Sequence, residues 1–190
     1  MGLTFVHLNA RSYFSMKDGA FPPEELARRA AELGMQAVAL TDRDGLYGAA
    51  RFAAACRNHG VRPIFGSTLT VRTTLGDRLV TLLARDAAGY GNLCRLITTA
   101  HMTGERGDPA LTAGQVCEHT NGLICLLGPE SVPGSLAAAG LADAALAALR
   151  PFRDAFATGD LFIEIRHCLV RAHCVRNEDT RAGRSPTRVI

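Results

Sequence analysis

Short apolar runs and longer amphipathic stretches alternate along this chain. "LTFVHL" (3–8), "MQAVALT" (35–41), "RPIFGSTLTV" (62–71), "RLVTLLA" (78–84), "GLICLLG" (122–128) and "LFIEI" (161–165) are dominated by Val, Ile, Leu and other apolar residues, as buried strands are. Helical signals fill the intervals. "PPEELARRAAELG" (22–34) carries Pro at its start, acids in its first turn, Glu24/Arg28 and Glu25/Arg29 at i,i+4, and Gly34 as its stop. "LYGAARFAAACRNHG" (46–60) ends at Gly60, and "AAGYGNLCRLITTAHM" (87–102) is a third helix. A short helix falls near 112–119, and Ala-rich helices lie within 135–157. "TTLGD" (73–77) is a turn, and a Gly/Pro/charge-rich loop covers 103–110.

Strands alternating with helices predict a mainly parallel sheet covered by helices, either an open doubly wound sheet or a barrel. Neither a GxGxxG nor a P-loop pattern is present, which counts against a dinucleotide or NTP fold and favours a (β/α) barrel. After residue 166 the pattern stops. "RHCLVRAHCVRNEDTRAGRSPTRVI" carries six arginines without a clear period. One domain is therefore expected over 1–166, followed by a divergent, poorly ordered Arg-rich tail over 167–190.

Composition narrows the picture. At 190 residues and 47% hydrophobic, the chain can bury the core of one ordinary domain. No run reaches the length of a membrane span, and the N-terminus lacks the order of a signal peptide, so a cytoplasmic protein with no membrane partner is expected. Val6 stands where a myristoylation signal has Ser or Thr. The six cysteines (Cys56, Cys94, Cys117, Cys125, Cys168, Cys174) form no C-x-x-C pair and read as reduced core residues. Lys17 is the only lysine, and the Arg and Ala bias suggests a GC-rich bacterial genome. The net charge of +3 is too small to argue for nucleic acid by itself, and DNA contact stays open.

In a parallel barrel, chemistry gathers at the C-terminal ends of strands. The first strand end offers His7 and Asn9, which at i,i+2 point to the same side of an extended segment. The second is "TDRD", with Asp42 and Arg43, and the third is "GST", with Thr68.

Four stretches in order, "FVHLNARSYFSMKDG", "ALTDRDGLYGA", "GVRPIFGSTLTV" and "LLARDAAGYGNLCRLIT", resemble the successive motifs of the PHP (polymerase and histidinol phosphatase) domain. The version they are most similar to stands at the N-terminus of bacterial C-family replicative polymerases and their error-prone relatives. The resemblance runs from about residue 4 to 102 and more weakly to about 166. It implies a PHP-type distorted (β/α) barrel, incomplete at its C-terminus. It also implies a metal site reading H-x-H, T-D-H and G-x-E at the three strand ends, with a further histidine before the fourth motif's strand. This sequence keeps His7 and Asp42 but has Asn9, Arg43, Thr68 and, at the approximate fourth position, Arg78.

Asn is a weak neutral ligand, Thr68 removes a carboxylate, and Arg43 places a permanent cation where divalent ions would be held. The expectation is a degenerate site with no cofactor, His7 being a hydrogen-bonded core residue and Asp42 paired with Arg43 or a backbone N–H. The alternative is a zinc- or manganese-dependent phosphoesterase or 3′-5′ exonuclease using His7, Asn9 and Asp42. A third reading is a small adaptor for a replication protein.

The remaining candidates have blander readings. His59, His101 and His119 fall near helix C-termini, where an imidazole can cap carbonyls. Ser12 and Ser15 have no His and acid partners in a nucleophile pattern and read as turn or capping residues. His167, Cys168, His173 and Cys174 match no usual zinc spacing. Beyond 166 the resemblance would call for the family's last motif and then the polymerase's catalytic regions, so a fragment or a frameshifted gene is expected. By itself the chain is expected to be inactive, with polymerase, replication or mutagenesis proteins as partners.

Overall fold

The computed structural model describes residues 5–16 and 18–166. In chain order the elements are α1 (Pro23–Glu32), β1 (Ala37–Leu40), α2 (Ala49–His59), β2 (Arg62–Val71), β3 (Arg78–Ala84), α3 (Ala87–Thr103), α4 (Ala113–Cys117), β4 (Leu123–Leu127), α5 (Val132–Ala138), α6 (Ala142–Ala155) and β5 (Leu161–Ile163). Local signals set most boundaries. Gly60 closes α2 with φ 67°, and the Asp86 carboxylate caps α3 by accepting the Gly89 amide at 2.8 Å. Thr112 and Gln115 form a reciprocal capping box at the start of α4.

The expected ion pairs on α1 are rearranged. Arg28 bonds Glu25 and Glu32, and Arg29 bonds Glu32, while Glu24 is drawn across to Arg51 of α2 at 2.6 Å. Glu24 lies on the side of α1 that meets α2, where a cross-helix guanidinium is the nearer partner.

The five strands form one sheet in the order β1-β2-β3-β4-β5. β1 runs parallel to β2 and β4 parallel to β5, whereas β3 is antiparallel to both neighbours. The expected parallel sheet therefore holds at its two ends and is interrupted in the middle. The turn over 72–77 is too short for a parallel crossover and can only reverse the chain.

Helices cover one face in two groups. Val38, Leu40, Phe52, Cys56, Leu26 and Ala27 join α1 and α2 to β1. Leu69, Val80, Leu82, Leu93, Leu96 and Phe152 join α3 and α6 to the central strands. The other face holds a smaller cluster with Ala39, Ile64, Leu83, Leu126 and Phe162, one or more from every strand, together with Leu8.

The first expected strand is not one among its described residues, 5–8. Residues 7–10 instead run beside β1, the Ala39 amide donating to the His7 carbonyl and the Thr41 amide to the Ala10 carbonyl, both at 2.8 Å. Amides of successive residues point to opposite edges of a strand; the carbonyls of Gln36 and Asp42 face β2, so Ala39 and Thr41 donate from the edge of β1 away from β2. The segment would lie about 24 Å from β5 if the sheet were flat, at five strand spacings of ~4.8 Å. Yet Asn9 bonds Glu164, just past β5, at 3.1 Å. The sheet is thus curled into a barrel-like shape, and no backbone ladder joins its two edges among the described residues. This is a mixed α/β fold with an incomplete barrel.

Cys56 and Cys125 are buried and Cys94 and Cys117 partly so, all four as free thiols. Burial pushes the Cys56 thiol up to about 11 and Cys125 further in the same direction. Cys168, Cys174, His167, His173 and the whole expected tail over 167–190 lie outside the described residues.

Candidate remnant metal site

The strand ends that should carry chemistry do meet, through three connected groups of side chains. The first is centred on Asn9. Its Nδ2 donates to both oxygens of Glu164 at 3.1 Å and to the Thr81 hydroxyl at 3.3 Å, while its Oδ1 accepts from the Thr41 hydroxyl at 2.9 Å. Thr81 in turn lies 3.0 Å from the Thr68 hydroxyl. Thr41 and Thr68 are fully buried. Arg166 completes the group by donating to Glu164 at 3.1 Å and to Glu130 at 3.0 Å.

The second group surrounds Asp42, which is 1% exposed. Its Oδ1 accepts from the Ser12 amide at 2.7 Å and the Ser15 hydroxyl at 2.8 Å, and its Oδ2 from the Ser12 hydroxyl at 2.8 Å. Ser12 also keeps a turn role, its hydroxyl accepting from the Phe14 amide. Asp42 finds the expected backbone N–H but not Arg43 as a partner. The β1–β2 pairing persists past Leu40 as a bridge between Arg43 and Thr68, which sends the Arg43 side chain elsewhere.

The third group holds Arg43, Asp44 and Thr70. The Arg43 guanidinium is 3.6 Å from Asp44, 3.7 Å from Asp18 and 3.4 Å from the Thr70 hydroxyl. Asp44 takes the left-handed conformation at φ 49° and accepts from the Thr70 amide and hydroxyl, both at 2.7 Å. Burial raises the Asp44 pKa, against the opposing pull of the Thr70 hydrogen bonds, Arg43 and His101. His101, in the last turn of α3, places its Nε2 2.9 Å from the Asp44 carbonyl oxygen and so ties that helix to the strand end.

His7 does not take the expected core position. Its ring is exposed and meets Phe5 edge-on at 4.7 Å, because only its backbone carbonyl is engaged by β1. Among the described residues it shares no hydrogen-bond partner with Asn9. Arg78, the first residue of β3, donates to the Ser135 hydroxyl at 3.4 Å and to the Asp77 carbonyl at 2.9 Å, on the Arg43 side of the site. Sequence reasoning missed Glu164, Thr41, Thr81 and Asp44. The inward alternation of polar residues with Ala39, Leu83 and Phe162 was the available signal for the first three.

These residues do not fit a divalent metal cluster. Among the described residues the carboxylates here, Asp42, Asp44 and Glu164, already accept hydrogen bonds from several donors, and the expected ligand positions Asn9, Thr68 and Arg43 supply an amide, a hydroxyl and a guanidinium. Among the described residues no three His, Cys, Asp or Glu side chains form a metal-holding group. No buried side-chain nitrogen or oxygen there lacks a hydrogen-bond partner.

Comparison with known proteins places the chain. The DNA polymerase III alpha subunit of Vibrio cholerae is 40% identical over 131 residues, covering 67% of this chain and 11% of that protein. The error-prone DNA polymerase of Mycobacterium bovis is 37% identical over 177 residues, covering 87% of this chain and 16% of its own length. The chain therefore spans a small part of these relatives. A two-domain protein from Bacteroides vulgatus containing a predicted PHP-like metal-dependent phosphoesterase superposes with a TM-score of 0.45 at 15% identity, covering 70% of this chain and 36% of the other. Residues 7–167 match the PHP domain, and the chain belongs to that family.

Proposed function

We propose that this chain acts as the PHP domain of a C-family DNA polymerase of the alpha or error-prone type, with a structural role and without metal-dependent hydrolysis. The observation that carries this reading is the Asn9 network. At the positions where the family resemblance calls for ligands, Asn9 and Thr68 are linked through the Thr81 hydroxyl, Asn9 bonds Glu164 across the two edges of the sheet, and Arg43 is drawn away to Thr70, Asp44 and Asp18. Such a domain stabilises and docks onto the rest of a polymerase or a replication or mutagenesis protein in the cytoplasm. Its similarity to polymerases of replication and error-prone synthesis supports those partners.

Metal stoichiometry tests the reading. After loading with zinc or manganese and desalting, the protein retains less than about one ion per chain, because Asn9, Thr68, Arg43 and Arg78 at the expected ligand positions are neutral or cationic and the nearby carboxylates are already engaged by hydrogen bonds. It hydrolyses a generic aryl phosphate no faster than buffer. Retention of two or more ions together with hydrolysis would establish the alternative, a zinc- or manganese-dependent phosphoesterase.

A further inference from the structure

The inner side of α6 is spent on the core, where Ala145 and Phe152 are buried and Leu149 and Ala155 pack beside them. Its outer side presents Asp143, Leu146, Ala147 and Arg150, all exposed. Their i, i+3, i+4 and i+7 spacing makes them one stripe along the helix. Leu146, in the middle of the stripe, is 59% exposed, and Leu141 at the helix start is 53% exposed.

The two charges of the stripe are not used within the chain. Arg28 on α1 is paired with Glu25 and Glu32, and Arg153 on α6 itself with Asp154. By contrast, Asp143 and Arg150 make no ion pair or side-chain hydrogen bond among the described residues. Seven residues apart, they stand about 10 Å from each other along the helix axis and cannot meet.

We propose that this face docks on the same face of a second copy of the chain, the two α6 helices running antiparallel about a twofold axis between Leu146 and Ala147. The order acid, apolar, apolar, base is its own complement when reversed. Each Asp143 then lies opposite the partner's Arg150, and each Leu146 opposite the partner's Ala147, as an isologous contact requires. A large side chain set against a small one lets the helix axes approach to the ordinary ~8–10 Å. A parallel pairing would bring like charges together at both positions, so the same residues select the direction. The helix has 14 residues and is about 21 Å long. Contact along it falls below the roughly 1,200 Å² of a stable interface, so the dimer is weak and reversible.

The test is sedimentation velocity of the full chain at low salt, over concentrations from about 1 µM to about 1 mM. A concentration-dependent dimer is expected. Asp143→Arg sets two guanidinium groups against each other at both ends of the contact, and Arg150→Asp does the same with carboxylates. Each should weaken dimerisation about tenfold or more, since two exposed ion pairs give way to repulsion. An equimolar mixture of the two variants should dimerise again, because each supplies the charge the other lacks, and misfolded chains could not recover on mixing. Leu146→Gln should weaken the dimer with the charges untouched. Should either charge variant fail to melt cooperatively, Leu146→Gln carries the test, because that side chain packs outside the core. A monomer throughout the range overturns the proposal. So does a dimer that the variants leave unchanged, which would place the contact on another face, and so does a mixture no better than its components.

Discussion

Asn9 and Glu164 stand 155 residues apart, and a single carboxamide bridges both oxygens of the carboxylate at 3.1 Å. This pair fastens the segment beside β1 to the end of β5. Asn9→Ala strips a donor from Glu164 and Thr81 and an acceptor from Thr41, at a cost of about 1–3 kcal/mol in urea unfolding. Amide exchange at Ala39 and Thr41, whose N–H groups bond the released segment, should quicken along with it. Unchanged exchange at those two amides would show that the pair does not hold the segment.

Asp42 tests the same site from its other side. Asp42→Ala leaves the Ser12 amide and two hydroxyls without their acceptor in a buried place, so a loss of about 3 kcal/mol or more is expected. Asp42→Asn keeps an oxygen for the amide and should lose about half as much. Thermal unfolding of the two variants, with and without zinc, reads the difference. A metal-ligand role for Asp42 would instead show as zinc stabilisation of the parent that both variants abolish.

Asp44 gives the fold a pH dependence of defined sign. Its pKa is raised by burial above the ordinary 3.8, so the protonated form is favoured in the folded state. The stability it contributes is present below 3.8 and is lost as the pH rises through the folded value. An asparagine in its place would accept from the Thr70 amide, donate to its hydroxyl and tolerate the positive φ. Asp44→Asn should therefore gain on the parent as pH rises toward neutrality. Denaturant midpoints measured across that window check this, and a constant gap between the proteins would refute it.

Restoring the family's ligands should restore metal affinity. Asn9, Thr81 and Thr68 form one hydrogen-bonded chain, and Arg43 bridges Thr68 along the backbone, so Asn9→His, Arg43→His and Thr68→Glu act within one neighbourhood. The triple variant should bind zinc more tightly than the parent in calorimetry. It should also be less stable, because the fully buried Thr68 would become a carboxylate. Equal, weak binding by both proteins would mean that these side chains cannot reach a common ion.

The legible parts of the fold were those whose information is local. Gly34, Gly60 and the apolar runs locate α1, α2, β2 and β3 almost to the residue, because caps and period-2 patterning act over a few positions. The reversal of β3 was visible only as the short turn before it. What stayed hidden was decided by distant partners. Nothing near residue 164 marks Glu164 as the partner of Asn9, and nothing in "FVHLN" says that His7 faces solvent while Asn9 faces inward. Glu24 behaves alike: its helical neighbour Arg28 has the expected spacing, but packing against α2 offers it Arg51 instead.

The short turn between β2 and β3 also bears on the order in which this structure assembles. Six adjacent register pairs, from Gly66 with Leu83 to Val71 with Arg78, form within a stretch of about twenty residues. Their loop-closure entropy is small, whereas the clasp between Asn9 and Glu164 must close nearly the whole chain. The hairpin is thus the natural nucleus, with α3 and β4 condensing on it first and the barrel edges joining last.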